Sequence, residues 1–314
     1  MAGQFAHILL VNSVCTPEAL DLIPDLLPSV RSALENYQPF YRLGAVSPDC
    51  PSVVMQTDPT GWGEIMHYLR PADFVRLYGI PKLLQMPFNT ADTRACIAWL
   101  FGYAAHLVTD LTVHPVVEAL VGPYSNSRNR VPHRRCEMDQ DAYMFTKLTG
   151  REVLDTDFLD FTDLGQCGVK GNTHKLNPAV LDFWQYCLRQ YPREETREYV
   201  RLPSQSLNVN VWFATYVNVM DHFATKNSIF VRWLACDYRT SGAADPKYIQ
   251  NLPVPGFSKR VRYEDLLEQA RQKLLEAWSE LAQALNADDA NLFALKNGNL
   301  DTGKDGGGKF VCWA

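Results

Sequence analysis

Residues 95–117 read ACIAWLFGYAAHLVTDLTVHPVV, an apolar run punctuated every fourth residue by His106, Asp110 and His114. An α-helix turns about 100° per residue, so side chains four apart stack on one face. The three groups therefore form a polar stripe on a segment that is otherwise fit for a core. A buried helix tolerates such a stripe only when its groups are paired with one another or bound to something. Metal ions satisfy imidazoles and carboxylates together, and they turn water into a hydrolytic nucleophile. Thr90 is the expected N-cap, which predicts the longest helix over 90–120. Pro115 lacks a backbone N–H, so a bend is expected just after His114.

Working outward, a second pair at the same spacing follows, His133-x-x-x-Glu137, on a helix expected from His133 to about Leu148. Upstream lie Asp49 in LGAVSPDCP and His67 in EIMHYLR. The chain has only seven histidines, at 7, 67, 106, 114, 133, 174 and 222, and most of them fall in these segments. A single H-x-x-x-D carries little information, because a lone histidine on an apolar face is usually a core residue. Two such pairs, a third histidine in phase and an upstream Asp and His together point to a metal cluster.

The remaining pattern is helical. Thr16–Tyr37 reads as one helix, with Thr16-Pro17-Glu18 as its start and Leu20, Ile23, Leu27, Val30 and Leu34 on its apolar face. Residues 38–61 read as a loop carrying Asp49, and 122–132 as a polar loop. Residues 150–175 read as irregular, with helices following at 177–190, 207–226 and 262–287. The last of these is amphipathic through Leu266, Leu267, Ala270, Leu274, Trp278 and Leu281. These features predict an all-α domain over 1–290 carrying a metal cluster. Residues 291–314 read as a Gly-rich tail, flexible up to Phe310. No Gly-rich phosphate loop is present.

Composition narrows the class. A hydrophobic content of 46% and a charged content of 21% are ordinary for a globular protein. A net charge of −5 argues against duplex nucleic acid as a partner. No apolar run appears long enough to span a bilayer, so no transmembrane segment is expected. The start, MAGQFAHILLVNSVC, has no basic region before its short apolar stretch and reads as part of the fold rather than a signal peptide. The eight cysteines, without a CxxC pair, read as free thiols in a reducing compartment, hence a cytoplasmic location. The oligomeric state is not legible.

The order His7, Asp49, His67, His106-x3-Asp110-x3-His114 and His133-x3-Glu137 resembles the zinc-dependent phospholipase C family and, more distantly, the S1/P1 nucleases. The resemblance covers residues 3–145. It implies an all-α protein with two to three zinc ions in a cluster at the floor of a cleft. Asp49, His67, His106 and Asp110 would hold the first. Asp110 would bridge to a second, shared with His7. His114, His133 and Glu137 would hold the remaining one. It implies hydrolysis of a phosphoester by metal-activated water, with Asp110 as the bridging group and Asp49 as a ligand that could also accept a proton. The substrate would be a phosphodiester, with phospholipid at a membrane surface as the candidate the family offers. The chain departs from the secreted bacterial members, whose processed N-terminal tryptophan chelates the ion shared with His7. It also has no acidic residue before His7, where those enzymes place one near choline, and it carries Cys50 where they carry an aromatic. A hydrolase of nucleotides or small soluble phosphoesters, and a zinc-stabilised structural protein, are the alternatives.

Other residues carry weaker expectations. Arg128, Arg130, Arg134 and Arg135 could hold phosphate but read first as a solvated loop. Asp139 or Asp141 could orient a ligand histidine. Asp221 and His222 suit a core or cleft wall, His174 a solvated loop, and Trp62, Trp99, Trp184, Trp212 and Trp233 core or cleft walls. Cys50 and Cys136 read as small buried hydrophobes.

Overall fold

The computed structural model describes residues 3–52, 60–200, 207–223 and 241–313. Its axis is the helix Ala91–Val121, capped by the Thr90 hydroxyl, which accepts from the Thr93 backbone amide at 3.2 Å. By length and composition alone this helix could cross a membrane, contrary to the expectation from apolar runs; its apolar window is wholly buried inside the fold. The helix runs through Pro115 to Val121, close to the expected end at 120.

Around this axis pack Gln4–Val14, Gln38–Val46, Pro178–Arg189 and the long C-terminal helix Tyr263–Ala287. Arg130–Thr149 lies alongside and carries His133 and Glu137. The architecture is all-α, and the only sheets among the described residues are two short two-stranded antiparallel pairs. One of them, Gly168–Val169 with Asn172–Leu176, falls in the stretch expected to be irregular and leaves His174 exposed. The core is aromatic at its centre: Trp99 lies against Trp184 at 5.1 Å and Phe74 stacks on Tyr103 at 4.1 Å. Trp212 is buried and Trp62 half-buried, as cores and walls require. Trp233 lies outside the described residues.

Three expectations need correction. Thr16–Tyr37 is not one helix. The Thr16 cap opens only a short turn, Pro17–Leu20, and a new helix starts at Pro28, because a proline lacks the N–H that an interior position must donate. Residues 38–61 are not simply a loop. Gln38–Val46 is a helix and Ser47–Ser52 a 3-10 turn presenting Asp49. The tail does not stand off the body. Its Phe293, Leu300, Cys312 and Trp313 are buried, and the Trp313 indole N–H donates to the Thr112 carbonyl at 2.9 Å.

The helix Gln38–Val46 crosses the central helix at glycines. A Cβ on Gly44 would lie 2.0 Å from the Trp99 carbonyl oxygen, and one on Gly102 would lie 1.9 Å from that of Tyr41. The two backbones therefore touch, which no larger residue permits. That contact sets the position of Ala45, and Ala45 matters to the site.

Candidate metal centre

Asp110 is the hub of the polar stripe, fully buried at the middle of the central helix. Its Oδ1 lies 3.3 Å from Nε2 of His7 and 3.3 Å from Nε2 of His114. Its Oδ2 lies 3.1 Å from Nε2 of His106 and 4.0 Å from Nε2 of His67. His67 also approaches Asp49 Oδ1 at 3.2 Å. Five elements thus converge: the N-terminal helix brings His7, the 3-10 turn Asp49, the helix Trp62–Tyr68 His67, and the central helix and Arg130–Thr149 the rest.

The tautomers follow from the far side of each ring. Nδ1 of His67 lies 2.7 Å from the Gly63 carbonyl, Nδ1 of His106 is 2.9 Å from that of Ala45, and Nδ1 of His114 is 2.7 Å from that of Leu300. A carbonyl can only accept, so each Nδ1 carries a proton; in the neutral ring, the form that binds metal, Nε2 then aims its lone pair at the carboxylates. Lone pair against carboxylate is repulsive unless a cation lies between them. Nε2 of His106, His114 and His133 and both nitrogens of His7 are buried without a hydrogen-bond partner. This donor set fits zinc, which takes imidazole nitrogen and carboxylate oxygen and whose ligand histidines commonly donate their other N–H to a carbonyl.

Electrostatics favour the neutral form at His106 and His114 and oppose it at His67. Burial drives His114 down to about 4 and lowers His106, keeping both neutral. Burial also opposes charge on Asp110, but its interactions with the surrounding His114, His106 and His7 outweigh burial and hold its carboxyl well below the usual range. Asp49 is held at about 2, where His106 and His67 outweigh burial. His67 goes the other way: burial lowers it, yet the Asp49 hydrogen bond and the charges of Asp49 and Asp110 bring it to about 9.

The structure brings all eight sequence candidates together. Two trios place one ligand atom from each residue within 4.8 Å of the others: His7, Asp49 and His106, and His67, His106 and Asp110. His114, His133 and Glu137 form a looser arm. His133 Nδ1 lies 2.9 Å from Glu137 Oε1, and His114 Nε2 lies 3.8 Å from that oxygen. All eight are buried except Glu137, whose side chain keeps 12% of its exposure and marks the open edge with His67. Beside that edge the Tyr124 ring meets His133 edge-on at 5.1 Å, and the Arg130 guanidinium lies 5.7 Å from the centre of Tyr124.

The weaker expectations resolve residue by residue. Asp141 acts on the backbone. It caps the N-terminal helix, accepting from the backbone amides of Phe5 at 3.1 Å and Ala6 at 2.8 Å, and so fixes the helix that carries His7. Asp139 pairs with Arg135 at 3.0 Å and accepts from the Asp245 amide. Arg128 and Arg130 are exposed. Cys50 and Cys136 are buried, and burial pushes both thiols far above the usual range, which makes them poor nucleophiles. The side chains of Asp221 and His222 lie outside the described residues. Sequence reasoning missed Gln4, whose side-chain amide donates to Asp49 Oδ2 at 2.9 Å while Tyr216 donates to its oxygen. It lies one helical turn before His7, the one signal that could have pointed to it.

A family model described as zinc dependent phospholipase C matches residues 6–194. That span contains all eight candidates inside one contiguous match, and His7 stands at its second residue. Searches among curated proteins and among solved structures find no match.

Proposed function

We propose that this chain, which belongs to the zinc-dependent phospholipase C family, hydrolyses a phosphodiester at the buried His/Asp centre. The observation that carries the reading is the set of fixed Nε2 lone pairs converging on Asp110. Zinc held there would supply positive charge against phosphoryl oxygens and a water acidic enough to ionise near neutral pH.

The chain's own groups have separable tasks. Asp110 is the shared carboxylate, offering Oδ2 toward His106 and His67 and Oδ1 toward His7 and His114. Asp49 completes the Oδ2 side. Its second oxygen is tied to Gln4, and its carboxyl is held at about 2, so we assign it to the metal rather than to proton transfer. His133 and Glu137 are assigned to a further ion with His114, giving two to three zinc ions in all. The carbonyls of Gly63, Ala45 and Leu300 hold the Nδ1 protons of three imidazoles and so aim each Nε2 at the centre, where His67, raised to about 9, would give up its Nε2 proton to a metal.

Substrate class is a narrower proposal. Phospholipid at a membrane surface follows from the family. A nucleotide or other small soluble phosphoester is favoured by one feature, the Arg130–Tyr124 pair against His133, since aromatic and guanidinium faces suit bases and phosphates. We place the protein in a reducing compartment, the cytoplasm, because the seven described cysteines are free thiols. The test is a panel of bis-p-nitrophenyl phosphate, short-chain phosphatidylcholine and a nucleotide phosphodiester, with zinc-loaded and metal-stripped protein. Zinc-dependent turnover of any of them supports the reading, and their ranking selects the substrate class. A zinc-loaded protein inert on all three would leave a structural zinc centre.

A further inference from the structure

The matched span ends at residue 194, yet the acceptor for His114 comes from residue 300. The C-terminal segment folds a tight turn against the middle of the central helix. Asn299 shapes that turn: its side-chain oxygen accepts from the amides of Asp301 at 2.9 Å and Thr302 at 3.1 Å, and its carbonyl accepts from Gly303 at 2.8 Å. Gly303 adopts φ +67°, and a Cβ there would lie 2.3 Å from Pro115 Cγ and 2.9 Å from the Leu111 carbonyl oxygen. The turn is therefore pressed onto the one place where the central helix lacks an N–H.

From this turn Leu300 reaches two candidate ligands through its backbone. Its carbonyl accepts from Nδ1 of His114 at 2.7 Å, and its N–H donates to the His67 carbonyl at 3.0 Å. Asp301, next along, accepts from the Tyr68 hydroxyl at 2.7 Å and so grips the residue after His67. Two anchors hold the segment down. Asn297 accepts from the Asp73 amide at 3.1 Å, and the Trp313 indole donates to Thr112 at 2.9 Å.

We infer that residues 297–313 form a strap that positions His67 and His114 for metal. Within it, Asn299 is the positioning residue that shapes the turn presenting Leu300. The inference rests on the metal-centre reading. Without the strap, the His114 ring loses the partner that fixes both its tautomer and its rotation. Outer partners of this kind are worth 10–100-fold in metal affinity. This makes the zinc affinity of the family-matched region depend on a segment outside it.

The experiment uses the full chain and three forms: wild type, Asn299→Ala and Asn299→Asp. Zinc affinity is measured by competition with a chromophoric chelator, and the melting temperature of each metal-free form is recorded alongside. Asn299→Ala should weaken the zinc that His114 holds by about 10–100-fold, with Asn299→Asp restoring most of it because the acceptor oxygen remains. In the metal-free state, nitrogen-15 NMR should show His114 as the Nδ1–H tautomer in wild type and a tautomer mixture in Asn299→Ala. Two results would overturn the strap. One is equal zinc affinity in wild type and Asn299→Ala. The other is an affinity loss only in proportion to a fall in metal-free melting temperature, with His114 unchanged. A wild type that binds no zinc would remove the metal-centre reading itself, and the strap's role with it.

Discussion

Gly102→Ala tests whether the helix crossing at Gly44 and Gly102 builds the site. The added Cβ would sit 1.9 Å from the Tyr41 carbonyl oxygen and 2.7 Å from its carbon, both backbone atoms that cannot rotate away. Restoring ordinary contact, at about 3.3 Å, requires the helix Gln38–Val46 to move by over ~1 Å. Ala45 moves with it, and its 2.9 Å bond to His106 Nδ1 stretches past hydrogen-bonding range. Overpacking of this kind costs about 1–3 kcal/mol and the lost hydrogen bond about 1 kcal/mol, so a destabilisation of about 2–4 kcal/mol is expected. Denaturant unfolding of the metal-free protein reads the first effect as a lower midpoint at unchanged slope. Zinc competition reads the second, an affinity loss of about 10-fold or more through His106. Gly165→Ala is the control, since a Cβ there meets nothing nearer than 3.8 Å and should stay within about 0.5 kcal/mol of wild type. A Gly102→Ala protein that unfolds with wild type and binds zinc equally would refute the crossing as a determinant of the site.

Asp110→Asn should abolish hydrolysis more completely than His7→Ala, because Asp110 faces four imidazoles and His7 faces one of its oxygens; matched steady-state rates with the reverse order would remove Asp110 as the shared ligand. Metal-free protein should be most stable near pH 6.5. His114, lowered to about 4, contributes stability above its unfolded value of about 6.5 that is lost as pH falls toward 4. His67, raised to about 9, contributes fully below about 6.5 and loses that contribution as pH rises through 9. Each swing is at most about 3 kcal/mol. Because zinc takes neutral imidazole, the stabilisation by zinc should grow from pH 6 to 9, and thermal melts with and without chelator showing a constant difference would contradict the assignment of His67. Asp141→Ala should cost about 1–2 kcal/mol by removing the cap of Gln4–Val14, with a loss of zinc through His7; unchanged zinc stoichiometry would separate the cap from the site.

The centre was legible because its ligands repeat at the helical period on an apolar background, a pattern that few structural constraints produce. His106, Asp110 and His114, and His133 with Glu137, lie on the helices their spacing implied. The helix Gln38–Val46 was not legible. Pro39 and Gly44 read as breakers, but Pro39 sits in the first turn, where proline is tolerated, and Gly44 is required by the crossing. The packing of the tail was not legible, because glycine there suggests flexibility. In fact Gly303 and Gly308 supply positive φ for turns, and the apolar Trp313 and Cys312 are anchors. The carbonyls of Ala45, Gly63 and Leu300 orient the histidines, and a backbone acceptor leaves no mark in the sequence.

Anomalous X-ray scattering at the zinc edge, from crystals of the purified protein, tests the metal centre most directly. Peaks are expected on both sides of the Asp110 carboxylate. One should be bounded by Asp49, His67 and His106, and another should lie toward His7 and His114. An ordered structure with these side chains in place, zinc in the crystallisation buffer and no anomalous density between them would contradict the centre.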